Sequence, residues 1–116
     1  MNNELFRSAL ERLSRVAGVR GALIVDTDAG VPVVEELSAD VDGTALAALA
    51  ASLFKRTDRA VQTAAFGKLS TLQLEAEQGT VIAGEAGDLV IVAIAERQAQ
   101  LGLVRLEVHR TAESLR

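Results

Sequence analysis

Leu5, Ala9, Leu13 and Val16 recur at spacings of four, four and three, with Phe6, Leu10 and Ala17 beside them. Glu4, Arg7, Glu11, Arg12 and Arg15 fall largely outside that stripe. A repeat near 3.6 places the apolar positions on one side of a helix, so a first helix is expected here. Gly18 follows the last periodic residue, where a glycine usually supplies a left-handed C-cap. Residues 21–26 (GALIVD) form a short branched run, Thr27-Asp28-Ala29-Gly30 reads as a turn, and residues 31–36 (VPVVEE) resume an extended pattern. Together these predict a hairpin. The first strand is apolar on both faces, as a central strand is. The second contains Pro32, which has no N–H for the ladder and so belongs on an edge.

Asp42 is placed to cap a second helix over about residues 43–66, with Leu46, Leu49, Ala50, Leu53, Phe54 and Val61 on its apolar side. Ser52, Lys55, Arg56 and Arg59 follow the same spacing on a polar side, and alanine fills much of the remainder. Such a helix has high intrinsic propensity and few bulky groups to hold a neighbour away. Gly67 is expected to end it. Residues 69–77 alternate, with Leu72, Leu74 and Ala76 opposed to Thr71, Gln73 and Glu75, the pattern of a strand with one wet face. Turns at Gln78-Gly79 and Gly87-Asp88 lead into strands at 80–86 and 89–95, the latter (LVIVAIA) apolar on both faces. Leu101, Val104, Val108, Ala112 and Leu115 mark a third helix.

Tight turns within each strand group make neighbours antiparallel. Pairing the two doubly apolar strands at the centre predicts an α+β fold. Its five-stranded antiparallel sheet has order 2-1-5-4-3, with helix two on one face and helices one and three on the other.

Composition adds a reason to expect self-association. The 116 residues suit a single domain spanning 1–116, and 49% are apolar. The apolar supply is mostly Ala, Val and Leu, with three Phe and no Trp or Tyr, so each buried residue removes little area from water. A second subunit would add to that burial. The formal charge of −4 is interspersed and lacks the basic stripe that nucleic-acid binding requires. No run approaches the roughly 20 apolar residues of a membrane span, and the first residues lack a signal-peptide core. With no cysteine, a reducing compartment is the default. The expectation is a cytoplasmic protein with no nucleic-acid partner and no membrane insertion.

The inventory of reactive groups is thin. His109 is the single histidine and is expected near solvent. Without cysteine or a second histidine, familiar zinc sites and Ser-His-Asp arrangements have no donors. The glycines at 18, 21, 30, 43, 67, 79, 84, 87 and 102 read as turns and helix ends and form no phosphate-loop pattern. Asp26 and Asp28 are turn residues, with no third acid at calcium-loop spacing. Lys55, Arg56 and Arg59 form a basic cluster that is either a solvated helix face or a means of steering an acidic partner. The chain is therefore expected to be no enzyme, with no catalytic residue, cofactor or metal.

Three segments resemble the roadblock family. Residues 21–30 (GALIVDTDAG) are similar to its G-A-x-x-x-D-x-x-G opening hairpin. The Ala-rich second helix leads, as in the family, into a strand containing Leu72-Gln73-Leu74-Glu75. Gly87-Asp88-Leu89 through Gln100-Leu101-Gly102-Leu103-Val104-Arg105 resembles its G-D…N-L-G-x-x-R ending, with Gln100 where the family has Asn.

The resemblance implies a homodimer in which helix two packs on its mate and the third strands pair edge to edge. It assigns that interface to Leu46, Leu49, Ala50, Leu53, Thr71, Leu72, Gln73 and Leu74. It also implies a Ras-like small GTPase as partner, since bacterial members work with such GTPases in polarity and motility. Ser52, Lys55, Arg56 and Arg59 are then the docking candidates. The alternative is a scaffold or motor light-chain-like dimerisation module without effect on nucleotide turnover. A small-molecule sensor is disfavoured by the shortage of aromatic and polar groups to line a pocket.

Overall fold

The computed structural model describes residues 3–116. Its elements run α1 (Asn3–Ser14), β1 (Val19–Asp26), β2 (Val31–Leu37), α2 (Gly43–Thr63), β3 (Thr71–Ala76), β4 (Gly79–Ala86), β5 (Leu89–Ala95) and α3 (Leu101–Leu115). The strands form one antiparallel sheet of order β2-β1-β5-β4-β3, as the apolarity of β1 and β5 requires. Pro32 lies on the edge strand β2, opposite Val25, where the register shifts.

Alternation along each strand divides the core into two layers. Ala22, Ile24, Ile82, Ile91 and Ala93 point to one face and are covered by Leu10 and Leu13 of α1 and by Val104, Val108 and Ala112 of α3. Leu23, Val25, Ala83, Val90 and Val92 point to the other and are covered by Ala47, Ala50, Ala51 and Phe54 of α2. The buried apolar part of α2 in this layer is thus three alanines and one phenylalanine.

Local chemistry fixes the ends. Asp42 accepts the N–H of Ala45 at 3.0 Å, capping α2. Asp26 Oδ1 accepts the N–H groups of Asp28 and Ala29, both at 3.0 Å, so this acid holds the β1–β2 turn. Gln100 stands at the N-cap of α3 but makes no side-chain cap bond.

Three sequence boundaries move. The first helix ends at Ser14, and the chain reaches Gly18 (φ +89°) through turns at Arg15, Val16 and Val19. The second ends at Thr63 rather than 66. Phe66 N–H bonds Val61 O at 2.8 Å and Ala65 N–H bonds Gln62 O at 3.0 Å, a Schellman closure. Ala65, not Gly67, takes its left-handed position at φ +68°. β3 begins at Thr71 because the N–H of Leu69 is held by Asp58 instead of a ladder. Gly21 and Gly84 lie inside strands rather than in turns. A Cβ on Gly84 would sit 2.7 Å from Val108 Cγ1, so close contact with α3 explains that glycine.

Candidate functional site

Helix α2 has more apolar surface than the sheet can cover. Ala47, Ala50, Ala51 and Phe54 meet the sheet, whereas Leu49 is 50% exposed and Leu46 and Leu53 are half-buried. The leucine stripe is thus rotated away from the core that α2 covers. Next to it lies β3, the edge strand, hydrogen-bonded on one side to β4. The β3–β4 register places Leu72 beside Ala83 and Leu74 beside Val81, all on the α2 face. Leu46, Leu49, Ala50, Leu72, Leu74, Val81 and Ala83 line one small cleft with no polar residue among them.

The structure therefore brings together five of the expected interface residues: Leu46, Leu49, Ala50, Leu72 and Leu74. Leu53 lies along the helix outside that cleft. Thr71 and Gln73 belong to the same edge strand but lie on its opposite face, paired with Gly84 and Ile82. Gln73 Oε1 accepts Arg105 Nη1 at 3.0 Å, tying the edge strand to α3. Val81 and Ala83 join the cleft without having been singled out. Residues 80–86 (TVIAGEA) carry no clear alternation, so only the β3–β4 register shows that Val81 and Ala83 face α2.

Ser52, Lys55, Arg56 and Arg59 also come together. They line an open groove with the β1–β2 turn (Thr27, Asp28, Ala29 and Gly30). Asp58, on the same turns of α2, accepts Leu69 N–H at 2.8 Å and Gln62 Nε2 at 2.9 Å. Those bonds, the backbone one foremost, hold its carboxyl below the ordinary 3.8, with Lys68 adding a smaller attraction and desolvation opposing. Across the molecule, Asp40 is also lowered, first by the Ser38 hydroxyl and then by its own backbone and Arg20. His109 is exposed on α3. Among the described residues, no group of three or more His, Cys, Asp or Glu side chains could hold a metal ion, and no helix is long and apolar enough to cross a membrane.

This arrangement of sheet order, edge strand and Ala-rich helix agrees with a known family. The profile of the Roadblock/LC7 domain matches residues 5–95. The chain belongs to the Roadblock/LC7 domain family. Among curated relatives of this roadblock chain is an uncharacterised protein of Methanocaldococcus jannaschii, 27% identical over 107 residues, covering 92% of this chain and 93% of that protein. Among solved structures, Myxococcus xanthus MglB superposes with a TM-score of 0.87 at 21% identity, covering 97% of this chain and 85% of MglB. An MglB described as having a tetrameric arrangement superposes with a TM-score of 0.84 at 26% identity, again covering 97% and 85%. The five-stranded order 2-1-5-4-3 with three helices is the roadblock fold of these neighbours.

Proposed function

We propose that this roadblock chain is a non-enzymatic homodimeric adaptor that binds and regulates a Ras-like small GTPase. One observation carries the dimer: the leucines of α2 that its own sheet leaves uncovered lie against an edge strand with a free ladder side. An unpaired edge flanked by apolar side chains is an association template. A second copy related by a two-fold axis satisfies both features at once, pairing β3 with β3 and α2 with α2. Isologous contact of this kind suits the commonest oligomer symmetry, and a stable one buries on the order of 1,600 Å². The likeness to an MglB in a tetrameric arrangement supports self-association.

The GTPase half of the proposal rests on the family resemblance. The basic groove of Lys55, Arg56 and Arg59 with Ser52 supports it as a place for an acidic partner surface. In this reading the partner supplies nucleotide, magnesium and catalytic groups. The adaptor acts by binding one conformation of the switch loops more tightly than the other. Immobilised adaptor is tested against Ras-like GTPases encoded nearby, loaded with GDP or with a non-hydrolysable GTP analogue. State-dependent retention supports the proposal. A dimer that retains none of them in either state supports the scaffold alternative instead.

A further inference from the structure

The chain has only two lysines, Lys55 and Lys68. One lies on α2 and the other on the loop that follows it, yet both stand in the wall of a single cleft. Thr27 of the β1–β2 turn and Glu85 and Gly87 of the β4–β5 hairpin close its other sides, and Phe54 and Val90 give it an apolar base. Its volume is about 140 Å³. At about 30 Å³ per water, that is room for a tetrahedral oxyanion.

The cleft holds two lysines and two carboxylates, and Lys68 attracts Asp58 without forming an ion pair with it. Both carboxylates are already engaged: Asp58 by Leu69 N–H and Gln62, and Glu85 by Arg116 and the N–H of Gly87. Neither lysine forms an ion pair or hydrogen bond among the described residues. Arg56 and Arg59 flank the same stretch of α2, in the adjoining groove that also includes Lys55, and are equally unpaired. The four cations are one-third of the 12 basic residues in a chain of net charge −4. The Thr27 hydroxyl is buried in the same wall with no hydrogen-bond partner.

We propose that this cleft binds a phosphate group, as the free ion or as a phosphomonoester. Lysine is a compact point charge suited to phosphate oxygens, and two ammonium groups from separate elements can engage different oxygens of one group. The apolar base lowers the local dielectric and strengthens both attractions. One protomer contains the whole cleft, so the proposal stands independently of the dimer and of the GTPase.

The test is a titration of the 15N-labelled full-length protein with sodium phosphate, holding ionic strength constant with sodium chloride. Saturable amide shifts confined to the surroundings of Thr27, Lys55, Lys68 and Gly87 are expected. Lys55→Gln and Lys68→Gln should each weaken binding by about tenfold, the size of one lost charged hydrogen bond, while Arg97→Gln leaves it unchanged. Sedimentation with phosphatidylcholine vesicles, with and without a phosphoinositide, separates the sources of the group. Recovery only with the phosphoinositide assigns it to a lipid headgroup, and phosphate binding without recovery assigns it to a soluble ligand. Linear shifts matched by chloride alone, or binding indifferent to both lysine variants, would overturn the proposal.

Discussion

Asp58 Oδ1 accepts the backbone N–H of Leu69 at 2.8 Å, fastening the segment that enters the edge strand to the side of the helix before it. This bond favours the charged carboxylate, so the carboxyl of Asp58 titrates below its ordinary 3.8 in the folded protein. A folded-state pKa below the unfolded one gives stability that is complete above the unfolded pKa and lost as pH falls through the folded one. Asp58→Ala should therefore flatten part of the acid limb of the stability curve below about pH 4. Asp40 provides a separate lowered group, so some of that limb should remain. Chemical denaturation of wild type and variant between pH 2 and pH 7 checks this. Parallel curves across the range would show that the bond contributes nothing.

Ala65 occupies the left-handed position of the Schellman closure at φ +68°. A side chain there costs roughly 1–2 kcal/mol of backbone strain, and glycine relieves it at some cost in unfolded-chain entropy. Ala65→Gly should stabilise the protein by about 0.5–1 kcal/mol. Urea denaturation measures this, and a loss of stability would mean that the closure does not form in solution.

Gly84 lies where a methyl group would sit 2.7 Å from Val108 Cγ1. Valine is stiff at χ1 and Val108 is 1% exposed, so it has little freedom to move away. Gly84→Ala should cost about 1–3 kcal/mol through overpacking. Adding Val108→Ala opens that space, so the double variant should lose less than the sum of the two single losses. Additive losses would place the cost of Gly84→Ala elsewhere.

The strand order was legible because two strands are apolar on both faces, one carries Pro32 and one alternates. Those three observations, covering four of the five strands, leave few ways to build a sheet. The direction of α2 was harder to read. Its leucines dominate the periodic pattern, which groups Leu46, Leu49, Ala50, Leu53, Phe54 and Val61 on one apolar side without dividing them between the sheet and a second copy. In the fold, alanines and Phe54 meet the sheet, and the leucine stripe turns toward the free edge. Periodicity identifies an apolar face without saying what covers it. The end of α2 was obscured for a related reason: glycine at 67 is the usual signal, while hydrogen bonds from Ala65 and Phe66 close the helix three residues earlier. The cleft of Lys55 and Lys68 had no sequence signature, because it depends on two turns from opposite halves of the chain meeting at the end of α2.

The proposed dimer places Leu72 and Leu74 at its centre, so burying a charge there should separate the protomers while leaving each folded. Sedimentation equilibrium at tens of micromolar measures it most directly. Wild type should sediment at twice the chain mass of 12.2 kDa. Leu72→Asp and Leu74→Asp should shift toward one chain mass with an unchanged far-UV circular dichroism spectrum. A wild-type protein at one chain mass, or variants that remain fully dimeric, would contradict the account.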